Sequence, residues 1–202
     1  INPSDDIMSA WITAESEGLK DGSDFGLDQI ISDCLLLLDG GAETTRTVIA
    51  RSMLHLANSP TQWELLKKGS DLEIAVEEFI RYVTPIHNMC RVATEDYFIH
   101  GKTIRKGDQV VLMYSSANRD SEKFNNPELL DVTRDPNHHI AFGFGTHFCL
   151  GASLARLEIK LFYEQLINRV KSFALAGDPV EMPNAFVYGL ASCPMDLTPE
   201  TS

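Results

Sequence analysis

Phe142-Gly143-Phe144-Gly145-Thr146-His147-Phe148-Cys149-Leu150-Gly151 runs straight into Ala152, where a strongly helical stretch begins. Glycines at 143, 145 and 151 let the backbone take positive φ and pass close to something flat or bulky. A cysteine at the mouth of a helix sits in the field of unpaired N–H groups. That field favours thiolate over thiol, and thiolate is the form that ligates metal. Taken alone, Cys149 also fits a plainer reading, a small apolar side chain in a glycine-rich turn.

Outward from this loop the pattern is mostly helical. Ser4 can cap a first helix that ends near Gly18, and the loop Asp21–Gly26 follows. Leu27 to Ala57 reads as one long helix stopped by Asn58-Ser59-Pro60. Thr61–Lys68 is a short helix closed by Gly69. Asp71–Tyr82 is another, with Leu72, Ala75, Val76 and Phe79 on one stripe. Tyr97–Ile99, Lys102–Ile104 and Gln109–Tyr114 are β-rich and separated by turn residues, so they predict small hairpins. Residues 115–151 are irregular and rich in Gly, Pro, Asn and Asp, and a stretch that long is usually functional. Ala152–Val170 returns to helix, and Phe186–Leu197 predicts a last hairpin around Gly189. Without repeats, linkers or low-complexity tracts, 1–202 reads as a single unit, mainly α with small β-hairpins.

Composition narrows the function classes. The 202 residues are 44% hydrophobic and carry a net charge of −12, so an ordinary folded core is expected and disorder is not. The longest pure apolar run, Cys34–Leu38, is far short of a membrane span. The acidity argues against binding a phosphate backbone. It is also uneven: residues 1–33 hold eight acids and one base, and residues 177–202 hold four acids and no base. The near-neutral middle is where chemistry is expected. Four cysteines, at 34, 90, 149 and 193, show no C-x-x-C spacing, which argues against zinc ribbons and dithiol redox. No basic region followed by an apolar stretch opens the chain, so no secretory signal is expected. A start at Ile1-Asn2-Pro3 suggests a processed or truncated product.

The loop Phe142-Gly-x-Gly-x-His147-x-Cys149-x-Gly151 resembles the haem-binding loop of the cytochrome P-450 haem-thiolate monooxygenases. Upstream segments extend the resemblance in the right order. Gly40-Gly41-Ala42-Glu43-Thr44-Thr45 resembles the oxygen-activation segment of the family's long central helix, and Glu78-x-x-Arg81 its structural E-x-x-R motif. Asn118-Arg119-Asp120, Phe124, Pro127 and Arg134 resemble the segment leading to the haem loop, with Leu130 where the family usually has Phe. The likeness covers the C-terminal half of such a protein and implies that half of its fold.

The resemblance assigns roles. Cys149 is the axial ligand of haem b (iron protoporphyrin IX), a thiolate that pushes electron density onto iron and favours O–O cleavage. Amides of Leu150 and Gly151 would hydrogen-bond its sulfur, and Phe142, Gly143 and Gly151 shape the loop around the cofactor. Arg91 and His147 would bind the propionates. Glu43 and Thr44 match the family's acid–alcohol pair for proton delivery, while Glu78, Arg81 and Arg134 match a structural brace. The glycine pair at 40 and 41 breaks helix propensity at about 1 kcal/mol each. It suits either a close helix crossing or an approach to the cofactor. Substrate-facing segments map onto Leu36, Leu37, Gly40, Val83, Ile86, Met89, Phe186 and Val187, with Asn88 and Tyr188 able to orient a polar end.

The implied activity is insertion of one oxygen atom of O2 into a C–H bond of a hydrophobic substrate. The run Thr84–Arg91 is most similar to actinobacterial members that oxidise sterols or lipids. The implied partners are a ferredoxin and its reductase, with Arg156 and Lys160 as basic groups for the docking. The expected location is the cytoplasm. Three alternatives stay open: a peroxide-using haem-thiolate enzyme, an inert fragment that does not retain haem, and a zinc site at His138, His139, His147 and Cys149.

Overall fold

The twelve residues of α4 (Leu72–Val83) show how the helical part is specified. Asp71 caps the helix by accepting a hydrogen bond from the Glu73 amide at 2.8 Å, so the helix begins one residue later than the sequence suggests. Ala75, Val76, Phe79, Ile80 and Val83 form its buried stripe. Thr84 ends it at φ 45°, unusual for a β-branched residue. The Thr84 hydroxyl donates to the Arg81 carbonyl at 2.7 Å and accepts from Asn118 Nδ2 at 2.8 Å, so a buried network holds the strained turn.

The computed structural model describes residues 4–17 and 26–200. The expected end of the first helix near Gly18, and most of the loop after it, lie outside the described residues. The chain divides into two compact units, Ile1–Ala42 and Glu43–Ser202. In the first, α1 (Ile7–Glu17) has no buried residue. Its cap is Asp6, which accepts from the Ser9 amide at 2.7 Å, and not Ser4, which lies too far upstream. The long helix α2 (Leu27–Ala57) begins in this unit, with Ile30 buried and Leu35 to Leu38 exposed. The Cys34 thiol lies 3.7 Å from the Met8 sulfur.

The second unit holds the rest of α2, then α3 (Pro60–Lys67), α4, the short α5 (Tyr114–Ala117) and α6 (Ala152–Arg169). Its core joins Val48 and Leu56 of α2, Trp63 and Leu66 of α3, the α4 stripe, Val132, and Ile159, Tyr163 and Leu166 of α6. Phe79 and Tyr163 stack at 4.5 Å between ring centres, and the Tyr163 hydroxyl lies 2.6 Å from the Ser52 hydroxyl. A buried phenol needs such a partner.

The strands depart from the sequence reading. β2 (Tyr97–Ile99) and β3 (Lys102–Ile104) form the expected hairpin. Gln109–Met113, however, is β4, which pairs antiparallel with β1 (Asn88–Val92), a strand whose Asn, Cys and Arg hide any alternation. Tyr114 opens α5 instead of ending the strand. The predicted Phe186–Leu197 hairpin does not form. β7 (Leu190–Ser192) pairs back with β6 (Val180–Glu181), and β8 (Met195–Pro199) pairs with β5 (Val170–Leu175). Pro194 separates β7 from β8 and has no N–H to give a ladder, while Val187 bridges to Ile86. Because β5 starts at Val170, α6 ends one residue early.

One ionic cluster fastens the irregular stretch 118–137 to α4. The Glu78 carboxylate is wholly buried and accepts from Arg81 Nε and Nη2 (2.7 and 2.8 Å), Arg134 Nε (3.0 Å), Asn137 Nδ2 (3.0 Å) and the Asp131 amide (2.9 Å). Arg81 Nη1 also donates to the carbonyls of Asn118 and Pro127 at 2.8 and 3.0 Å. Removing one member strands buried charge, so Glu78→Ala is expected to lower stability by about 3–5 kcal/mol. A urea unfolding midpoint within error of wild type would contradict this arrangement.

Candidate functional site

The glycine loop begins where the ionic cluster ends. Asn118, fully buried, accepts from the Ile140 amide through Oδ1 at 2.8 Å, and the Gly143 amide bonds the Ile140 carbonyl at 2.9 Å. Gly143 and Gly145 both take φ 72°, the left-handed conformation that favours glycine. A β-carbon at Gly143 would meet the His147 carbonyl and the Tyr114 hydroxyl, each at 3.6 Å, which places α5 beside the loop. Gly145–His147 closes a single 3-10 turn. The Cys149 amide then donates to the Phe142 carbonyl at 2.9 Å, folding the loop back on itself just before α6.

The result is an exposed thiol at an open helix terminus. Cys149 is a free, exposed cysteine, and Gly151 at the helix N-cap supplies no side-chain acceptor. The amides of Leu150 and Gly151 donate to no protein acceptor among the described residues. The sulfur therefore stands at the surface, at the start of α6. Its neighbours in sequence present apolar surface: Phe144 is 90% exposed, Leu150 87% and Phe148 52%. That is the surface a flat, largely apolar group would cover.

Among the described residues no three His, Cys, Asp or Glu side chains are grouped to hold a metal ion. The zinc alternative therefore falls, because His138, His139, His147 and Cys149 do not converge. His139 instead has Nε2 3.0 Å from Glu77. The donor chemistry fits an iron that brings its other ligands with it. A single thiolate is enough for iron already held by the four nitrogens of a porphyrin. Arg91 sits on β1 with its guanidinium on the Cys90 carbonyl at 2.9 Å. Neither it nor His147, exposed in the 3-10 turn, has a carboxylate partner among the described residues. Both side chains remain available as hydrogen-bond donors to the acidic edge of such a group.

The remaining sequence-predicted residues fall into different settings. Glu78, Arg81 and Arg134 are brought together, as described. Glu43 lies on α2 and pairs with Arg46 at 2.5 Å, next to half-buried Thr44. Ile86 and Val187 are bridged, Met89 faces out on β1 opposite Leu112, and Phe186 is 42% exposed. Val83 departs from this group. It is 1% exposed and packed in the core, so its side chain serves α4 packing and is not open to a ligand. Leu36, Leu37 and Gly40 lie exposed on α2 in the first unit. A β-carbon at Gly40 or Gly41 would meet nothing within 4 Å among the described residues, which leaves the close-crossing reading without support.

Arg156 and Lys160 also differ from expectation as docking cations. Arg156 Nε and Nη2 grip Glu77 at 2.5 and 2.9 Å, over the face of the Phe142 ring, and Lys160 pairs with Glu73 at 2.7 Å. Each positive charge is answered locally, because acids on α4 line up opposite bases on α6. Three groups escaped the sequence reading: Glu77, Asn118 as a buried hub, and Arg51. Arg51 left the one signal in the sequence, a charge within the mostly apolar stretch 48–56 of α2.

Two titrations follow from these placements. Burial works against the Glu77 charge, but hydrogen bonds from Arg156 and His139 outweigh it and hold the carboxyl down to about 2. His55 is lowered to about 4, chiefly by burial and then by the charges of Arg51 and Arg119. Both folded-state values are depressed, so in each window the unfolded chain binds more protons and stability falls as pH falls. The His55 contribution is lost from about 6.5 down through about 4, and the Glu77 contribution from 4.5 down through about 2. Thermal unfolding followed against pH is expected to flatten in the upper window for His55→Phe and in the lower one for Glu77→Gln.

Comparison with known proteins finds the chain's relatives. The family profile described as Cytochrome P450 matches residues 61–194. Steroid C26-monooxygenase of Mycobacterium tuberculosis is 41% identical over 202 residues, covering 98% of this chain and 53% of that protein. Steroid C26-monooxygenase of Mycolicibacterium smegmatis is 42% identical over 200 residues, covering 98% and 49%. The crystal structure of P450BioI, in complex with an acyl carrier protein ligated to hexadec-9Z-enoic acid, superposes with a TM-score of 0.87 at 38% identity. The overlap is 98% of this chain and 50% of that one. The chain thus spans about half the length of the relatives it matches.

Proposed function

Because the chain belongs to the cytochrome P450 family, we propose that it supplies the haem-ligating half of a haem-thiolate monooxygenase, with Cys149 as the residue that would hold the iron of haem b. The whole protein would insert one oxygen atom of O2 into a C–H bond of a hydrophobic substrate, using two electrons from a ferredoxin and its reductase and releasing water. A sterol or a lipid chain is the substrate class, supported by the names of the mycobacterial relatives. No helix among the described residues is long and apolar enough to cross a membrane. The proposed location is the cytoplasm, where a ferredoxin would reach the protein.

The observation that carries this reading is the exposed Cys149 thiol, presented by Gly143 and Gly145 at positive φ at the mouth of α6. Bound haem would supply the activation of O2, with the thiolate as electron donor to the iron. The protein's own residues set the conditions for it. The Phe142 carbonyl fixes the loop by accepting from the Cys149 amide, and the amides of Leu150 and Gly151 would donate to the sulfur. Arg91 and His147 would pair with the propionates, where charge-assisted hydrogen bonds are short and strong. Thr44 Oγ1 would relay protons supplied through the Glu43 carboxylate, which must first turn away from Arg46. Ile86, Met89, Phe186 and Val187 would contribute apolar contacts to the substrate.

The ferrous–CO absorption spectrum tests the ligand assignment. A strongly red-shifted Soret band is expected for wild type, lost in Cys149→Ala and kept when Cys34, Cys90 or Cys193 is replaced. A wild-type spectrum without that band would make the chain an inert fragment. The proton relay has its own test: Thr44→Ala is expected to consume electrons with little product, and unchanged coupling would favour a peroxide-driven reaction.

A further inference from the structure

Arg51 lies on α2 in the second unit and is 1% exposed, yet the resemblance assigns it nothing. Its guanidinium is spent on one short segment. Nε donates to the Tyr188 carbonyl and Nη2 to the Gly189 carbonyl, the latter at 3.1 Å. Nη2 also pairs with Glu181 Oε2, and Nη1 lies 3.4 Å from Glu181 Oε1. The guanidinium carbon stands 3.1 Å from the centre of the Tyr188 ring. A single planar cation therefore holds two successive carbonyls, one ring face and the carboxylate of β6.

The other side of the same segment is fastened by backbone bonds. The His87 amide donates to the Phe186 carbonyl, and the Tyr188 amide to the Pro85 carbonyl, both at 2.9 Å. Asn88 Nδ2 reaches the Ala185 carbonyl at 2.9 Å. Residues 185–189 are thus suspended between Pro85–Asn88 and Arg51, and they carry the exposed Phe186 and the half-buried Val187.

We propose that Arg51 is a positioning residue that sets where Phe186 and Val187 stand, and so selects which carbon of a hydrophobic substrate is presented for oxidation. The proposal rests on the reading of those two residues as substrate contacts. Its physical basis is the cost of the arrangement. A buried cation is expensive to desolvate, and a well-packed apolar side chain would hold a helix to a loop as well or better. What an apolar side chain lacks is a fork that fixes the height of two carbonyls at once. Lysine lacks it too, being a point charge on a flexible stem. Glu181 is 58% exposed on its side chain, so it steadies the cation without burying a second full charge.

The test uses Arg51→Lys, Arg51→Met and Glu181→Gln. Amide hydrogen exchange on the chain is read first: Val187–Gly189 is expected to exchange about tenfold faster in both Arg51 variants, with α4 unchanged. Next, the haem-loaded protein is given cholesterol as probe and the ratio of oxidised positions is measured. Both Arg51 variants are expected to shift that ratio at least about threefold while the CO-bound Soret band keeps its position. Glu181→Gln is expected to give a smaller shift in the same direction. A brace with no role in selection would lower the yield of folded protein but leave the ratio alone, and that result overturns the proposal. Unchanged exchange at Val187–Gly189 overturns it as well. If wild type shows no thiolate-haem band, the function proposed above fails, and the exchange measurement still decides whether Arg51 positions the segment.

Discussion

A carboxylate with no exposure and five donors is the constraint on which the rest of the second unit depends. Glu78 takes bonds from Arg81, Arg134, Asn137 and the Asp131 amide, and none of these partners is close to it in sequence except Arg81. Residues 118–144 form neither ladder nor long helix, so their backbone carbonyls need donors from elsewhere. Two guanidiniums provide them. Arg81 takes the carbonyls of Asn118, Pro127 and Leu129, and Arg134 those of Asn125, Asn126 and Leu129. Side-chain cations here do the work that secondary structure does in the helices, and the carboxylate keeps them in place.

The position of Cys149 is a downstream consequence. Asn118 connects the cluster to Ile140, Ile140 to Gly143, and Phe142 to Cys149, each through one hydrogen bond near 2.8–2.9 Å. Gly143 and Gly145 then turn the chain so that the sulfur faces out at the start of α6. Exposed Cys149, Leu150 and Gly151 are followed directly by buried Ala152. A thiol held in a fixed direction needs both features: a backbone turned by glycine, and a helix anchored behind it by Ile159 and Tyr163 in the core.

Much of this is legible in the sequence, for reasons that differ by element. The helices are readable because their stop signals and apolar stripes are local, as in Asn58-Ser59-Pro60 after α2 and Ala75, Val76 and Phe79 on α4. The glycine loop is readable because its residue types are needed at fixed spacing. Most of the strand pairing is not. Asn88–Val92 and Leu190–Ser192 are too short and too mixed to show alternation, and their partners lie elsewhere in the chain. Val83 reads as a ligand contact because an apolar residue beside a loop looks the same whether it faces a core or a cavity. Glu77 and Arg51 carry no motif of their own, and the motif that holds Asn118 does not reveal it as a hub, since each role is defined by partners that only folding brings near.

Arg81 and Arg51 show two uses of the same side chain. Both are buried to within 1% and both capture loop carbonyls that no strand or helix satisfies. Arg81 answers a carboxylate that is itself completely buried, so neither charge can leave without stranding the other, and the contact acts as a permanent brace. Arg51 answers Glu181, whose side chain remains 58% exposed and can be solvated in place. The segment held by Arg51 is therefore tied to a pair whose carboxylate stays in water. It is also the segment that carries apolar side chains at the surface. A wholly buried ion pair thus lies beneath the Cys149 loop, while a buried cation with a solvated partner holds the segment that carries exposed Phe186.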